Sequence, residues 1–131
     1  MSDDLTGIRA YISGYPGHAD AAARRLSDQE VRAFVGEALV DLRERLRPTG
    51  DLADRLDSLV LHCEFGDQRA LKALDDERYG EPEPAARLEA VDREIVETAA
   101  RAPEITLEQL PAYLDELETL MQRRGPALRV G

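Results

Sequence analysis

The chain has 131 residues and a formal net charge of −10 at pH 7, with 43% hydrophobic and 34% charged residues. A chain of this length buries enough surface for one core, so we predict a single domain over residues 1–131. No stretch approaches the roughly 20 apolar residues of a membrane span. A negative charge of this size also disfavours direct binding of DNA or RNA, because such binding depends on basic residues that neutralise phosphate.

The compartment is predicted from the cysteine content and the start of the chain. One cysteine cannot form an internal disulfide, which is typical of a reducing compartment. The first residues, MSDDLTG, are acidic where a secretion signal is basic and then apolar, so we expect the protein in the cytoplasm. Lys72 is the only lysine among 17 basic residues, an arginine bias that favours a GC-rich, bacterial coding sequence.

The N-terminal segment is predicted to form short helical turns. Leu5, Ile8 and Ile12 have helical spacing and would point inward, and a turn at residues 14–17 would end the segment. His18 follows this turn, where we expect a polar surface position or a capping role rather than a catalytic one.

The first long helix is predicted to begin at Ser27. Ser27 and Glu30 form a capping-box pattern, in which each side chain satisfies a free backbone amide of the first turn. Apolar residues then recur at spacings of four, three and four, and the helix is expected to end near Arg47, just before Pro48. Residues 20–26 are predicted to form only a brief helical turn.

The segment LHCEFGDQ, residues 61–68, combines a histidine, the only cysteine and two carboxylates, residue types that form metal or thiol sites. With the leucine stripe of its helix facing inward, Cys63 joins the core, and His62 and Glu64 lie on opposite sides of the helix. They therefore cannot share a metal. We interpret the segment as a helix end at Gly66, and we predict no catalytic residue, no metal ligand and no cofactor.

The rest of the chain is predicted to contain three further helices. A short helix is expected over about Asp67–Arg78, and EPEP at residues 81–84 is interpreted as a stiff linker. A longer helix runs from Pro84 to before Pro103, and the last begins at a Thr106–Gln109 capping box and ends at residues 125–126. The predicted fold class is all-α, a single compact bundle of about five main helices plus short N-terminal helical turns.

Charge patterning yields the candidate binding residues. Many acids precede an arginine by four residues, the orientation that supports a helix. These pairs are Asp20/Arg24, Asp28/Arg32, Asp41/Arg45, Asp51/Arg55, Glu83/Arg87, Glu89/Arg93 and Glu97/Arg101. Acids without such a partner are concentrated in two segments, and we predict that those in the two segments bind a partner: Asp75, Asp76, Glu77, Glu81, Glu108, Asp115, Glu116 and Glu118. If the two segments lie close together, they form a negative patch that steers a basic protein. The alternative is an ordinary solvated surface.

Three functional hypotheses remain open from the sequence. The first is a non-enzymatic protein–protein interaction module, an adaptor, regulator or dedicated chaperone, whose acidic C-terminal half binds a basic protein partner. The wide apolar face of its last helix either lies at the centre of the bundle or contacts a partner or a second copy of the chain in a homodimer. The second is an acidic inhibitor or immunity protein that mimics the charge of nucleic acid. The third is a phosphotransfer protein or other enzyme that uses His62. The absence of catalytic motifs favours the first.

Overall fold

The computed structural model describes residues 3–66, 72 and 74–127, with side chains described as far as Arg123. Within this part of the chain it contains five α-helices and no strand, which confirms the predicted all-α bundle. The helices are α1 (Asp3–Arg9), α2 (Ala21–Leu46), α3 (Gly50–Phe65), α4 (Pro82–Ala99) and α5 (Leu110–Ala127). Two 3-10 turns, Glu77–Gly80 and Ala102–Glu104, flank α4.

Helix α4 is the centre of the bundle. It packs against α1, α2 and α5, while α2 also packs against α3, and α3 against α5. Its buried face carries Leu88, Ile95 and Val96, each at most 1% exposed, and it meets apolar residues from the other four helices in one core. The predicted inward positions of the N-terminal segment are confirmed, because Ile8 and Ile12 are buried in that core.

The start of α2 differs from the prediction. The helix begins at Ala21, one turn and a half before Ser27, because the Asp20 side chain accepts a hydrogen bond from the Ala23 amide and caps the helix there. Ser27 is therefore an interior helical residue. Its hydroxyl is buried and donates to the Gly17 carbonyl at 2.6 Å, which ties the preceding loop to α2.

The end of α3 agrees with the sequence interpretation of LHCEFGDQ. The helix ends at Phe65, and Gly66 follows with a φ of 72°, a left-handed conformation that glycine adopts without strain. Cys63 faces the core and is 4% exposed, whereas His62 is exposed.

Two predictions for the segment before α4 are wrong. The helix expected over Asp67–Arg78 does not reach its predicted end, because residues 74–75 form a turn and a separate 3-10 turn begins at Glu77. Residues 67–71 and 73 of that prediction lie outside the described residues. EPEP is not a linker, since α4 already begins at Pro82, where the missing amide costs no helical hydrogen bond.

The capping box predicted before the last helix is formed, but regular helix begins only at Leu110, after a turn at residues 107–109, and the predicted end is wrong. The Thr106 and Gln109 side chains exchange hydrogen bonds with each other's backbone amides at 3.2 and 3.1 Å, as a capping box requires. The helix continues through Gly125 and Pro126 to Ala127, so the Gly-Pro pair does not end it.

Candidate functional site

The eight predicted binding residues lie in two separate places and do not form one patch. Asp75, Asp76, Glu77 and Glu81 precede the start of α4, whereas Glu116 is hydrogen-bonded to Arg101, just beyond the end of α4. Helix α4 has 18 residues, which at 1.5 Å per residue corresponds to a length of about 27 Å. The two acidic segments are thus held at opposite ends of the central helix.

Most of these acids already pair with arginines from other parts of the chain. Before α4, the shortest distances are 2.7 Å from Asp75 to Arg25 and 2.6 Å from Asp76 to Arg78, with Glu77 at 3.9 Å from Arg24. The hydrogen bonds from these arginines lower the pKa of Asp75 below its usual value and that of Asp76 to about 2.

The acids of α5 are paired in the same way. Arg55 of α3 binds both Asp115 and Glu118, and Arg101 binds Glu116 at 2.7 Å. The pKa of Arg55 is raised above its ordinary value, and the hydrogen bond to Glu118 is the largest cause. Among the described residues, only Glu81 and Glu108 of the eight candidates form no ion pair.

Only some of the ion pairs predicted between an acid and an arginine four residues later are formed. Asp28/Arg32 and Glu83/Arg87 are confirmed, at 2.8 and 3.3 Å. Arg45, however, donates to the carbonyls of Ala102 and Ile105. Among the described residues, arginine side chains form more ion pairs with other elements than within their own helix.

A groove of about 510 Å³ lies between α2 and α3, and a second, of about 610 Å³, lies between α4 and α5. The second groove contains two of the predicted residues, Asp115 and Glu116, together with Glu94 and Glu97 of α4. Arg123 is the one cation among the described residues that line it, and it pairs with Glu94 at 3.1 Å. The groove is thus lined by four carboxylates and one guanidinium, and the arginines that pair with the other three carboxylates, Arg55, Arg93 and Arg101, lie outside its lining.

A buried polar network near the N-terminus was not anticipated from the sequence. The Tyr15 hydroxyl donates to Asp92 Oδ2 at 2.6 Å and lies 2.7 Å from His18 Nε2, which is itself 3.1 Å from Asp92 Oδ2. All three residues are at most 2% exposed. The expected surface position of His18 is therefore wrong: the loop that carries it folds back against α4, and no local sequence signal marks a contact across 74 residues.

Arg24 forms further hydrogen bonds next to this network, one of them to the backbone of His18. Its guanidinium is fully buried and donates to the carbonyls of His18, Leu74 and Asp76 at 3.2, 2.7 and 3.1 Å. Gly80 is packed so closely that a Cβ there would lie 2.7 Å from the Ala19 carbonyl oxygen. The loop, the start of α2 and the segment before α4 are consequently fastened together.

The segment around His62 has little of the geometry of a reactive site. Burial raises the pKa of the Cys63 thiol to about 11, even though nearby Arg32 acts in the opposite direction, so the thiol remains protonated near neutral pH. Within the described residues, no group of three or more His, Cys, Asp or Glu side chains is placed to hold a metal ion.

Comparison with known proteins does not supply a function. No protein-family model, no curated protein and no solved structure matches the chain. In the part of the chain that the structure describes, every helix is too short or too polar to cross a membrane.

Proposed function

We propose that the protein is a non-enzymatic interaction module that binds a basic segment of a partner protein in the groove between α4 and α5. The observation that supports this proposal is the placement of Glu94, Glu97, Asp115 and Glu116 around one concave surface. Opposite charge across an interface accelerates encounter and orients the partner. Nucleic-acid-binding proteins are one class of partner with the required basic surface. If the partner belongs to this class, the protein would act as an inhibitor that mimics the charge of nucleic acid.

The existing ion pairs of the groove do not prevent such binding. The side chains of Glu97 and Glu116 are about half exposed, and they pair with Arg93 and Arg101 at 2.9 and 2.7 Å. Exposed ion pairs contribute little to stability, because water screens the charges and the long side chains lose entropy when they are held. A lysine or arginine of a partner can therefore replace them at small cost.

The base of the groove offers a less polar contact. Leu120 and Thr98 line it and are 7% and 8% exposed, so the aliphatic part of a bound lysine or arginine can lie over a largely buried base. Carboxylates above a nonpolar base are suited to long cationic side chains.

The test compares two variants that lose the same charge. Glu97→Gln/Glu116→Gln changes the groove, and Asp57→Asn/Glu83→Gln removes two exposed, ion-paired carboxylates elsewhere. Each tagged protein is used for affinity isolation from a lysate of its own host, and the retained proteins are quantified by mass spectrometry. We expect one partner with a basic surface that wild type and the control variant retain, and that the groove variant loses by about tenfold or more.

The same isolation is repeated at high salt. Raising the salt from about 0.05 to about 0.5 M shortens the Debye length to a few ångströms, so the partner should also dissociate from the wild-type protein. Equal retention by the groove and control variants would contradict the proposal, as would a partner that stays bound at high salt. Circular dichroism of both variants establishes that they are folded.

A further inference from the structure

The groove between α2 and α3 differs in character from the one between α4 and α5. Its base is formed by small and apolar residues of two consecutive helices, Ala33, Gly36 and Val40 from α2 and Val60 and Cys63 from α3. A Cβ at Gly36 would lie 3.3 Å from the Cβ of Cys63, so the two helices are in close contact at this point. Val40 remains 41% exposed. The groove is therefore a shallow apolar channel on the outer side of the α2–α3 pair.

Three acids line this channel, and none of them forms an ion pair among the described residues: Glu37, Asp41 and Glu64. Asp41 was expected to pair with Arg45, which instead donates to two backbone carbonyls. This is the reverse of the α4–α5 groove, where each acid already has an arginine.

The one cation among the described residues of the channel is already engaged. Arg32 donates to Asp28 Oδ2 and to the Cys63 carbonyl, both at 2.8 Å. Its charge is thus offset by Asp28, and the three carboxylates, which have no ion pair among the described residues, leave the edge of the channel negative. An apolar base with a negative edge is complementary to a ligand that is apolar on one side and basic beside it.

We infer that this channel docks an amphipathic helix of a partner protein, with apolar side chains over Val40 and Val60 and lysine or arginine side chains against Glu37, Asp41 and Glu64. Two adjacent helices joined by a short connection leave a furrow that a third helix fills by ridge-into-groove packing. This docking site is separate from the α4–α5 groove and does not depend on the function proposed for it.

The first test uses defined peptides rather than an unknown partner. The probe is a fluorescein-labelled helical peptide of about 18 residues, with leucines at positions i, i+3, i+4 and i+7 and lysines elsewhere. Its controls are a peptide of the same composition with scrambled order, and one in which glutamates replace the lysines. We expect the amphipathic basic peptide to bind with a Kd at least tenfold lower than either control, as measured by fluorescence anisotropy.

Variants then locate the binding. Val40→Gln removes an exposed apolar side chain from the channel, and Leu107→Gln removes one of similar exposure (48%) elsewhere. We expect Val40→Gln to raise the Kd about fivefold, since it loses the apolar contact with the peptide, and Leu107→Gln to leave it unchanged. Glutamine favours helix, so the first change does not weaken α2.

A third comparison separates this inference from the proposed function. Glu37→Gln/Asp41→Asn/Glu64→Gln should weaken binding about tenfold, whereas Glu97→Gln/Glu116→Gln should not affect it. The inference is overturned if the scrambled peptide binds equally well, if Val40→Gln has no effect, or if the α4–α5 variant is the one that loses binding. None of these outcomes changes the prediction for the α4–α5 groove, whose test uses its own variants.

Discussion

Arg24 and Arg25 are adjacent in α2, yet their environments have little in common. Arg24 is fully buried and donates to three backbone carbonyls, while Arg25 is about half exposed and binds the Asp75 carboxylate at 2.7 Å. The same contrast separates two tyrosines, buried Tyr15 and half-exposed Tyr11. The position of a polar residue on its helix or loop, and not its type, decides whether it holds the fold together or remains available on the surface.

The largest expected effect is the loss of the buried guanidinium. Arg24→Met should lower the free energy of unfolding by about 3–5 kcal/mol, because two buried carbonyls and one part-buried carbonyl lose their donor and the fit around the side chain is lost. Arg25→Met is the matched control and should have a much smaller effect, since Arg25 and Asp75 are both exposed to water. Urea unfolding followed by circular dichroism measures both. Equal effects would show that burial does not distinguish the two arginines.

A smaller effect is expected for the two tyrosines. Tyr15→Phe removes one hydroxyl that donates to the buried carboxylate of Asp92, and it should cost about 1.5–3 kcal/mol. Tyr11→Phe keeps the edge-on ring contact with Phe34 and removes only a hydroxyl on a half-exposed side chain, so the free energy of unfolding should be nearly unchanged. The same urea series compares them, and a loss for Tyr11→Phe as large as that for Tyr15→Phe would remove the distinction.

The smallest effect concerns an exposed ion pair and depends on pH. The hydrogen bonds from Arg78 lower the pKa of Asp76 from 3.8 to about 2 in the folded protein. Because the folded pKa is depressed, the stabilisation is present above about pH 4 and is lost as the pH falls towards about 2. Wild type should therefore lose more stability over this interval than Asp76→Asn does. The check is urea unfolding at pH 5, 4, 3 and 2.5, and parallel curves would contradict the assignment.

Local sequence patterns predicted most of the helices and the buried faces they present. The stripe that includes Leu56, Leu59 and Cys63 was placed correctly, because helical spacing depends on neighbours within two turns. Helix boundaries were predicted less well where two signals competed. At α2 the capping pattern at Ser27 is a good one, but Asp20 offers an earlier cap, and the Ser27 hydroxyl is instead used to hold Gly17.

The candidate sites were harder to predict, because the partners of charged residues are decided by tertiary packing. Asp41 was expected to be neutralised by Arg45 and is not, whereas Asp115 and Glu116 were expected to be free and are paired with Arg55 and Arg101. An arginine side chain is long enough to reach a neighbouring element as readily as the next turn of its own helix. Which acids stay unpaired thus follows from the fold.

The buried Tyr15–Asp92 contact also sets an expectation for the order of events in folding. These residues are 77 positions apart, and Arg24 and Leu74 are 50 apart, whereas three residues connect α2 to α3. Contacts between near neighbours in the chain close at a lower entropic cost, so we expect the α2–α3 pair to associate early and the N-terminal loop to dock late. Interactions formed after the transition state mainly govern the unfolding rate. We therefore expect the Tyr15–His18–Asp92 network to affect the unfolding rate more than the folding rate.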